Sequence, residues 1–163
     1  MESISGRSQL LGSLLKRVGN FNVDTFPRRL TFQKTVYFLQ VFGFYLGYRF
    51  SWYLYGPYSP ALTKDGFELR GFIDKMSEAG FPETEPEQKF QEFLRFIQPF
   101  KDNPRELELL ASLHFLHTLE PKPTRQQIIE RVKAKQWYFS SAKAEAAWTY
   151  LRKFNLVGPA QEV

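Results

Sequence analysis

Residues 30–62 read LTFQKTVYFLQVFGFYLGYRFSWYLYGPYSPAL, and the rest of the chain is organised around this stretch. Its first part is apolar on most sides at helical spacing, which predicts a central and largely buried helix over about 28–42. Gln33 and Lys34 are the polar exceptions in that helix. We expect Lys34 to extend its ammonium to the surface; the alternative is a contact with a carboxylate or phosphate of a partner.

The second part of the stretch predicts a strand followed by a rigid corner. Tyr48–Tyr55 alternates between two faces and is rich in aromatic residues, which is typical of a strand. Gly56-Pro57 breaks that pattern. Ser59 is a good N-cap and Pro60 suits the first helical position, so a helix is predicted to run from Pro60 to about Met76.

Further helices are predicted on both sides of this stretch from apolar spacing and capping signals. They cover about 7–18, 84–97, 104–118, 124–134 and 141–155, and a short extended piece follows at 156–158. The fold class is therefore mainly α: a compact helical domain of about seven helices with one or two short strands, partly winged-helix-like. Residues 1–163 form a single domain or two packed lobes, 1–82 and 83–163, with the seam in the acidic, proline-bearing segment 81–87.

The composition supports a large, ring-rich core. Hydrophobic residues make up 43% of the chain, and there are 17 Phe, 8 Tyr and 3 Trp. Aromatic side chains bury large areas, so disorder is excluded. The chain has no Cys, which removes disulfides and thiolate chemistry and fits a reducing compartment. The first residues lack a signal-peptide pattern and no apolar run is long enough for a membrane span, so we expect a cytoplasmic protein.

Candidate catalytic residues are sparse, and we predict no enzyme activity, no metal and no cofactor. His114 and His117 lie three apart on one helix, but no HExxH or comparable ligand pattern accompanies them. No serine has a GxSxG frame, and no glycine-rich phosphate loop is present. The acidic run at 83–87 is explained by the start of a helix, where negative charge is favourable.

A nucleic-acid site is the alternative reading of the C-terminal helices. The net charge of +5 permits it, and the last three helices followed by 156–157 have the order of a helix-turn-helix with the start of a wing. The third helix would read DNA, although Glu145 and several alanines lie on its presumed reading face. The side chains placed to contact DNA are Arg125, Arg131, Lys133, Ser141, Lys143, Arg152 and Lys153.

Two motifs in the opening stretch carry a family resemblance. Phe32-Gln33-Lys34 with Tyr37-Phe38 resembles the LQKLxYxxQ helix of Panacea-type (SocA-like) antitoxin domains and of YwgA-like prokaryotic proteins. Tyr55–Ser59, YGPYS, is similar to the strand–helix corner of the YwgA-like group and to the YGPV corner of Panacea domains. The resemblance covers about Leu30 to Phe81, and Tyr58-Ser59 departs from the Panacea pattern toward the YwgA-like branch.

The resemblance implies a compact helical domain that acts by protein contact without catalysis, antitoxin-like or defence-associated, with a toxin as the partner. Aromatic residues are favoured at protein interfaces; equally, these rings could simply complete a small core. The candidate partner-binding residues are Gln33, Lys34, Tyr53, Tyr55, Tyr58, Trp137 and Tyr138. We further predict that Gln33 or Lys34 lies within reach of the backbone of the Tyr55–Ser59 corner.

Overall fold

The computed structural model describes residues 5–78 and 80–158. In this part of the chain it has seven α-helices and one two-stranded sheet, which confirms the predicted mainly α fold with short strands. The helices are α1 Gly6–Val18, α2 Phe26–Val41, α3 Pro60–Leu69, α4 Thr84–Ile97, α5 Pro104–His117, α6 Arg125–Lys135 and α7 Ser141–Lys153. The strands are β1 Ser51–Tyr53 and β2 Gly56–Tyr58, and short 3-10 turns lie at Ile73–Lys75 and Gln98–Phe100.

The helix starts are set by local capping, as the sequence indicates. Ser59 Oγ accepts a hydrogen bond from the amide of Leu62 at the start of α3. Asn103 caps α5 in the same way. At α6 the predicted capping box is complete, because Thr124 and Gln127 exchange side-chain and backbone hydrogen bonds. These caps satisfy amide groups that have no partner inside the helix.

Helix α2 lies at the centre of the molecule, and every residue from Leu30 to Leu39 is buried. It packs against α3, α4, α5 and β2. Phe38 is fully buried and contacts Phe96 of α4, with the ring centroids 4.7 Å apart. The buried apolar side chains form one cluster that runs from α1 to α7. The division into lobes at 82/83 stays a prediction, although this core takes side chains from both sides of it.

Strand pairing differs from the prediction of one strand over Tyr48–Tyr55. The chain forms an antiparallel hairpin in which Ser51 lies opposite Tyr58 and Tyr53 lies opposite Gly56. The two residues between the strands make the turn. Gly56 has a φ of +91°, a conformation that glycine adopts without strain. This allows the chain to reverse its direction after the turn, and Gly56 becomes the first residue of β2.

Two further boundaries also differ. Helix α3 ends at Leu69 rather than near Met76, because the amides of Gly71 and Phe72 bond three residues back and tighten the last turn. The predicted extended piece 156–158 forms bends and no strand among the residues that the structure describes. Ala79, part of the predicted stop before α4, lies outside the described residues.

None of the helices in the described residues combines the length and the apolar character that crossing a bilayer requires.

Candidate functional site

The candidate site is the hairpin and the surface of α2 beneath it, and Gln33 joins the two. The Gln33 amide nitrogen donates to the Ser59 carbonyl at 2.8 Å, and its amide oxygen accepts from the Ser59 backbone N–H at 3.0 Å. The same nitrogen lies 2.8 Å from Thr63 Oγ1. The prediction that the Gln33–Lys34 pair reaches the backbone of the corner is therefore confirmed.

Lys34 makes the second contact between α2 and the corner. Its Nζ donates to the Pro57 carbonyl at 2.5 Å, and the residue is only 1% exposed. The prediction that Lys34 extends to the surface is wrong, because the hairpin covers the face of α2 from which it projects. Burial lowers the pKa of the Lys34 ammonium to about 7; the Glu108 carboxylate opposes this change and the Lys135 charge adds to it.

Gln40, seven residues after Gln33 on α2, bonds the main chain that precedes β1. Its amide oxygen accepts from the amides of Leu46 and Tyr48, and its nitrogen donates to the Tyr48 carbonyl at 3.0 Å. Residues seven apart lie on the same face of a helix. One face of α2 thus bonds the main chain on both sides of the hairpin.

A buried acidic residue on α5 lies beneath the same region. Glu108 is fully buried, and its carboxylate accepts hydrogen bonds from Gln136 at 2.8 Å, from Arg105 at 3.0 Å and from the Tyr138 hydroxyl. Several donors around one carboxylate offset the cost of removing its charge from water. The sequence marks this residue only as an acid within a leucine-rich helix, and we did not predict it as part of the site.

The C-terminal half also contacts the hairpin. Lys135, at the end of α6, donates from Nζ to the Tyr53 carbonyl, and the same atom lies 4.2 Å from the centre of the Trp52 ring. The Trp52 ring also stacks on Phe115 of α5, with the ring centroids 5.8 Å apart. Gly56 comes so close to α5 that a Cβ there would lie 2.4 Å from Ser112 Oγ.

A pocket of about 260 Å³ opens between α2 and the hairpin. Five of the seven predicted partner-binding residues line it: Gln33, Lys34, Tyr53, Tyr55 and Tyr58. We did not predict partner contacts for the other lining residues, which are Phe26, Arg29, Leu30, Leu54, Gly56 and Thr63. The helical spacing of Phe26 and Leu30 from Gln33 and Lys34 could have identified these two residues as part of the same face of α2. Leu54 could not have been identified in this way, because it lines the pocket only as a result of the antiparallel pairing of β1 and β2.

The remaining two predicted residues lie outside the pocket. Trp137 is 81% exposed in the connection between α6 and α7. Tyr138 is half-buried, and its hydroxyl bonds Glu108 rather than a surface ligand. Tyr138 therefore bonds the buried Glu108, and of this pair only Trp137 has a largely exposed ring.

Four of the predicted nucleic-acid residues are engaged by other side chains of α5, α6 and α7. Arg125 pairs with Glu145 of α7, and Lys143 lies 4.0 Å from Glu106 of α5. Lys133 donates to Ser141, which joins the two helices. The other three lie on α6 and α7 with Arg131 and Lys153 exposed and Arg152 half-buried.

The two histidines lie beside the core. His114 Nδ1 and the Tyr37 hydroxyl share a hydrogen bond of 2.6 Å, and burial lowers the pKa of His114 to about 3, with a smaller contribution from His117. Burial favours the neutral imidazole of His114, and the hydrogen bond with Tyr37 satisfies its buried Nδ1. Among the described residues, no three His, Cys, Asp or Glu side chains lie close enough together to hold a metal ion.

Comparison of the chain with protein-family models, with curated proteins and with solved structures gave no match.

Replacing Gln33 with Leu tests whether α2 holds the corner. The substitution leaves the buried N–H and C=O of Ser59 without the Gln33 amide, and we expect the free energy of unfolding in urea to fall by about 2–4 kcal/mol. Gln9→Leu, at an exposed position of α1, is the control and should change stability by less than about 0.5 kcal/mol. Equal effects of the two substitutions would contradict the proposed role of Gln33.

The lowered pKa of Lys34 gives a measurable pH dependence of stability. The pKa is about 7 in the folded chain against 10.5 for an ordinary lysine, so between these values the unfolded chain holds the proton that the folded chain has lost. Stability should then rise with pH from about 7 to 9.5, by at most about 1.4 kcal/mol per pH unit. Lys34→Met should remove this slope while leaving the contributions of other groups, including Lys135. A slope unchanged in Lys34→Met would show that the ammonium is not desolvated.

Proposed function

We propose that this chain is a non-enzymatic protein-interaction module whose contact surface is the hairpin face, defined as Phe26, Tyr53, Leu54 and Tyr55 around the pocket. One observation carries the proposal: Phe26, Tyr53 and Leu54 are 50%, 58% and 60% exposed although they are large and apolar, and they surround a concave apolar site. Exposed apolar residues grouped in this way are typical of interaction sites.

Hydrogen bonds to the main chain beneath the hairpin face favour tight binding. Lys34 and Lys135 each bond a main-chain atom of the hairpin, and Gln33 bonds Ser59 directly after it, so the backbone that presents the rings is ordered before a partner arrives. A surface that is already ordered loses little conformational entropy on association. The buried hydrogen bonds therefore contribute to recognition without touching the partner.

The resemblance to Panacea-type domains favours a toxin as the protein partner, with the chain acting as an antitoxin-like or defence-associated component. In this proposal the partner inserts an apolar side chain into the pocket and covers the surrounding rings. The face adjoining Lys135 and Trp137 extends the contact toward the α6–α7 connection.

Affinity capture with paired variants tests the assignment of the surface. Tyr53→Ser combined with Leu54→Ser removes two exposed apolar groups of the hairpin face, and we expect at least a tenfold loss of any stoichiometric protein partner. Tyr45→Ser combined with Leu10→Ser is the control, because these residues are 73% and 46% exposed and do not line the pocket. An equal loss in both pairs, or the absence of a stoichiometric partner for the wild-type chain, would overturn the proposal.

DNA binding by α6 and α7 is the second candidate function. The observation that favours it is the helix-turn-helix order of α6 and α7, which are joined by a five-residue connection and carry exposed basic residues such as Arg131 and Lys153. Against it, Arg125 and Lys143 face carboxylates within the chain, which lowers the positive charge available to phosphates.

A titration against mixed-sequence duplex DNA distinguishes the two candidates. If the interaction-module proposal is correct, we expect no binding at low salt at micromolar protein. Tight binding that weakens steeply with salt, and that Arg131→Gln with Lys153→Gln diminishes, would reverse the order of the two proposals.

A further inference from the structure

The lining of the hairpin pocket is cationic as well as apolar. Arg29 and Lys34 both contribute to it, and no Asp or Glu is among its lining residues in the described part of the chain. The remaining lining is aromatic, aliphatic or neutral and polar. A ligand that complements this lining carries an apolar group and a negative charge close together.

The Lys34 ammonium has more N–H donors than the described residues use. An ammonium group has three N–H donors, and the described residues supply one hydrogen-bond acceptor to Lys34 Nζ, the Pro57 carbonyl. Arg29 uses its guanidinium on the Val23 carbonyl at 3.0 Å and is half-buried at the pocket. Both lining residues therefore carry N–H donors beyond those used in these two hydrogen bonds.

The size of the pocket restricts the ligand. A volume of about 260 Å³ is below the range of about 300–1,000 Å³ that is typical of pockets for drug-sized molecules. It suits one residue of a polypeptide. Within a polypeptide made of standard residues, an apolar side chain and a carboxylate occur on the same residue only at the C-terminus, since the side chains of Asp and Glu carry the charge without the apolar group.

We propose that the hairpin pocket binds the C-terminal residue of a partner protein, with an apolar, preferably aromatic, side chain packed against Leu30, Leu54 and Tyr55 and the terminal carboxylate directed to Lys34 and Arg29. This inference rests on the proposed protein-interaction function and names the part of the partner that is recognised. The preceding residues of the partner would leave the pocket across the exposed rings of Phe26 and Tyr53.

Matched peptides test the carboxylate directly on the wild-type chain. The probes are Gly-Gly-Gly-Phe with a free C-terminal carboxylate and the same peptide as its C-terminal amide, titrated by calorimetry or by tyrosine fluorescence. A charge-assisted hydrogen bond is stronger than a neutral one, so we expect the acid to bind about tenfold to a hundredfold more tightly than the amide. Equal affinities would overturn the proposal.

Variants locate the effect in the pocket. Arg29→Gln and Lys34→Met should each lower the preference for the acid over the amide, whereas Lys16→Met should leave it unchanged. Lys16 is a matched control because its Nζ also donates to a main-chain carbonyl, that of Met76 at 2.7 Å, away from the pocket. If Arg29→Gln and Lys16→Met behave alike, the carboxylate does not bind as proposed, and this test does not depend on whether Lys34→Met folds.

The pH dependence of binding gives an independent readout. The acid should bind best near pH 6 and more weakly above pH 7, because Lys34 then loses its proton before an anion can pair with it. The other charged or titratable groups around Lys34 are Arg29 of α2, the hairpin tyrosines Tyr53, Tyr55 and Tyr58, Glu108 of α5 and Lys135 of α6. Affinity that does not change between pH 6 and 8.5 would contradict a role for Lys34.

The free acid 3-phenylpropanoate separates a peptide terminus from a small-molecule ligand. It carries the same aromatic group and carboxylate without a preceding chain, and we expect it to bind more weakly than the peptide acid. Tight binding of 3-phenylpropanoate without binding of the peptide would overturn the peptide assignment. Selective binding of the peptide acid, with no protein partner found by affinity capture, would instead reject the proposed biological partner and leave the chemistry of the pocket standing.

Discussion

The structure depends on side chains of α2 that satisfy the main-chain polar groups of the segment that follows it. A two-stranded hairpin has few internal hydrogen bonds and is marginal by itself in water. Gln40 bonds the backbone before the hairpin, Lys34 bonds the second strand at Pro57, and Gln33 bonds Ser59 directly after it. Because buried main-chain groups without partners are costly, these three side chains allow the segment to pack against the core without a larger sheet.

The sequence indicates most of the helical framework because its signals are local. Thr124 and Gln127 are three residues apart, and the cap that they form depends on little else. The second strand could not be predicted in the same way. Gly56-Pro57 is a strong turn signal, and only the antiparallel pairing with Ser51–Tyr53 makes these residues part of a strand. Tertiary pairing therefore overrides the local pattern at this point.

In the candidate site too, the features that local motifs indicate were predicted, and those that depend on long-range packing were not. The motif pair placed Gln33 and Lys34 near the Tyr55–Ser59 corner, and five of the seven predicted partner residues line one pocket. The surface position expected for Lys34 was wrong, because whether a lysine is buried depends on what covers it. Glu108 and Lys135, which are 27 residues apart, act on Lys34 only in the folded chain, and no spacing rule relates them to it.

The contacts beneath the hairpin have a consequence for how this protein can change over evolutionary time. Gln33, Lys34, Gln40 and Lys135 contact main-chain atoms of the segment, and nearly every amino acid supplies the same N–H and C=O groups. The side chains at the turn, Tyr53, Leu54 and Tyr55, can therefore be exchanged without loss of the bonds that hold their backbone. The fold can thus be retained while the side chains at the turn vary.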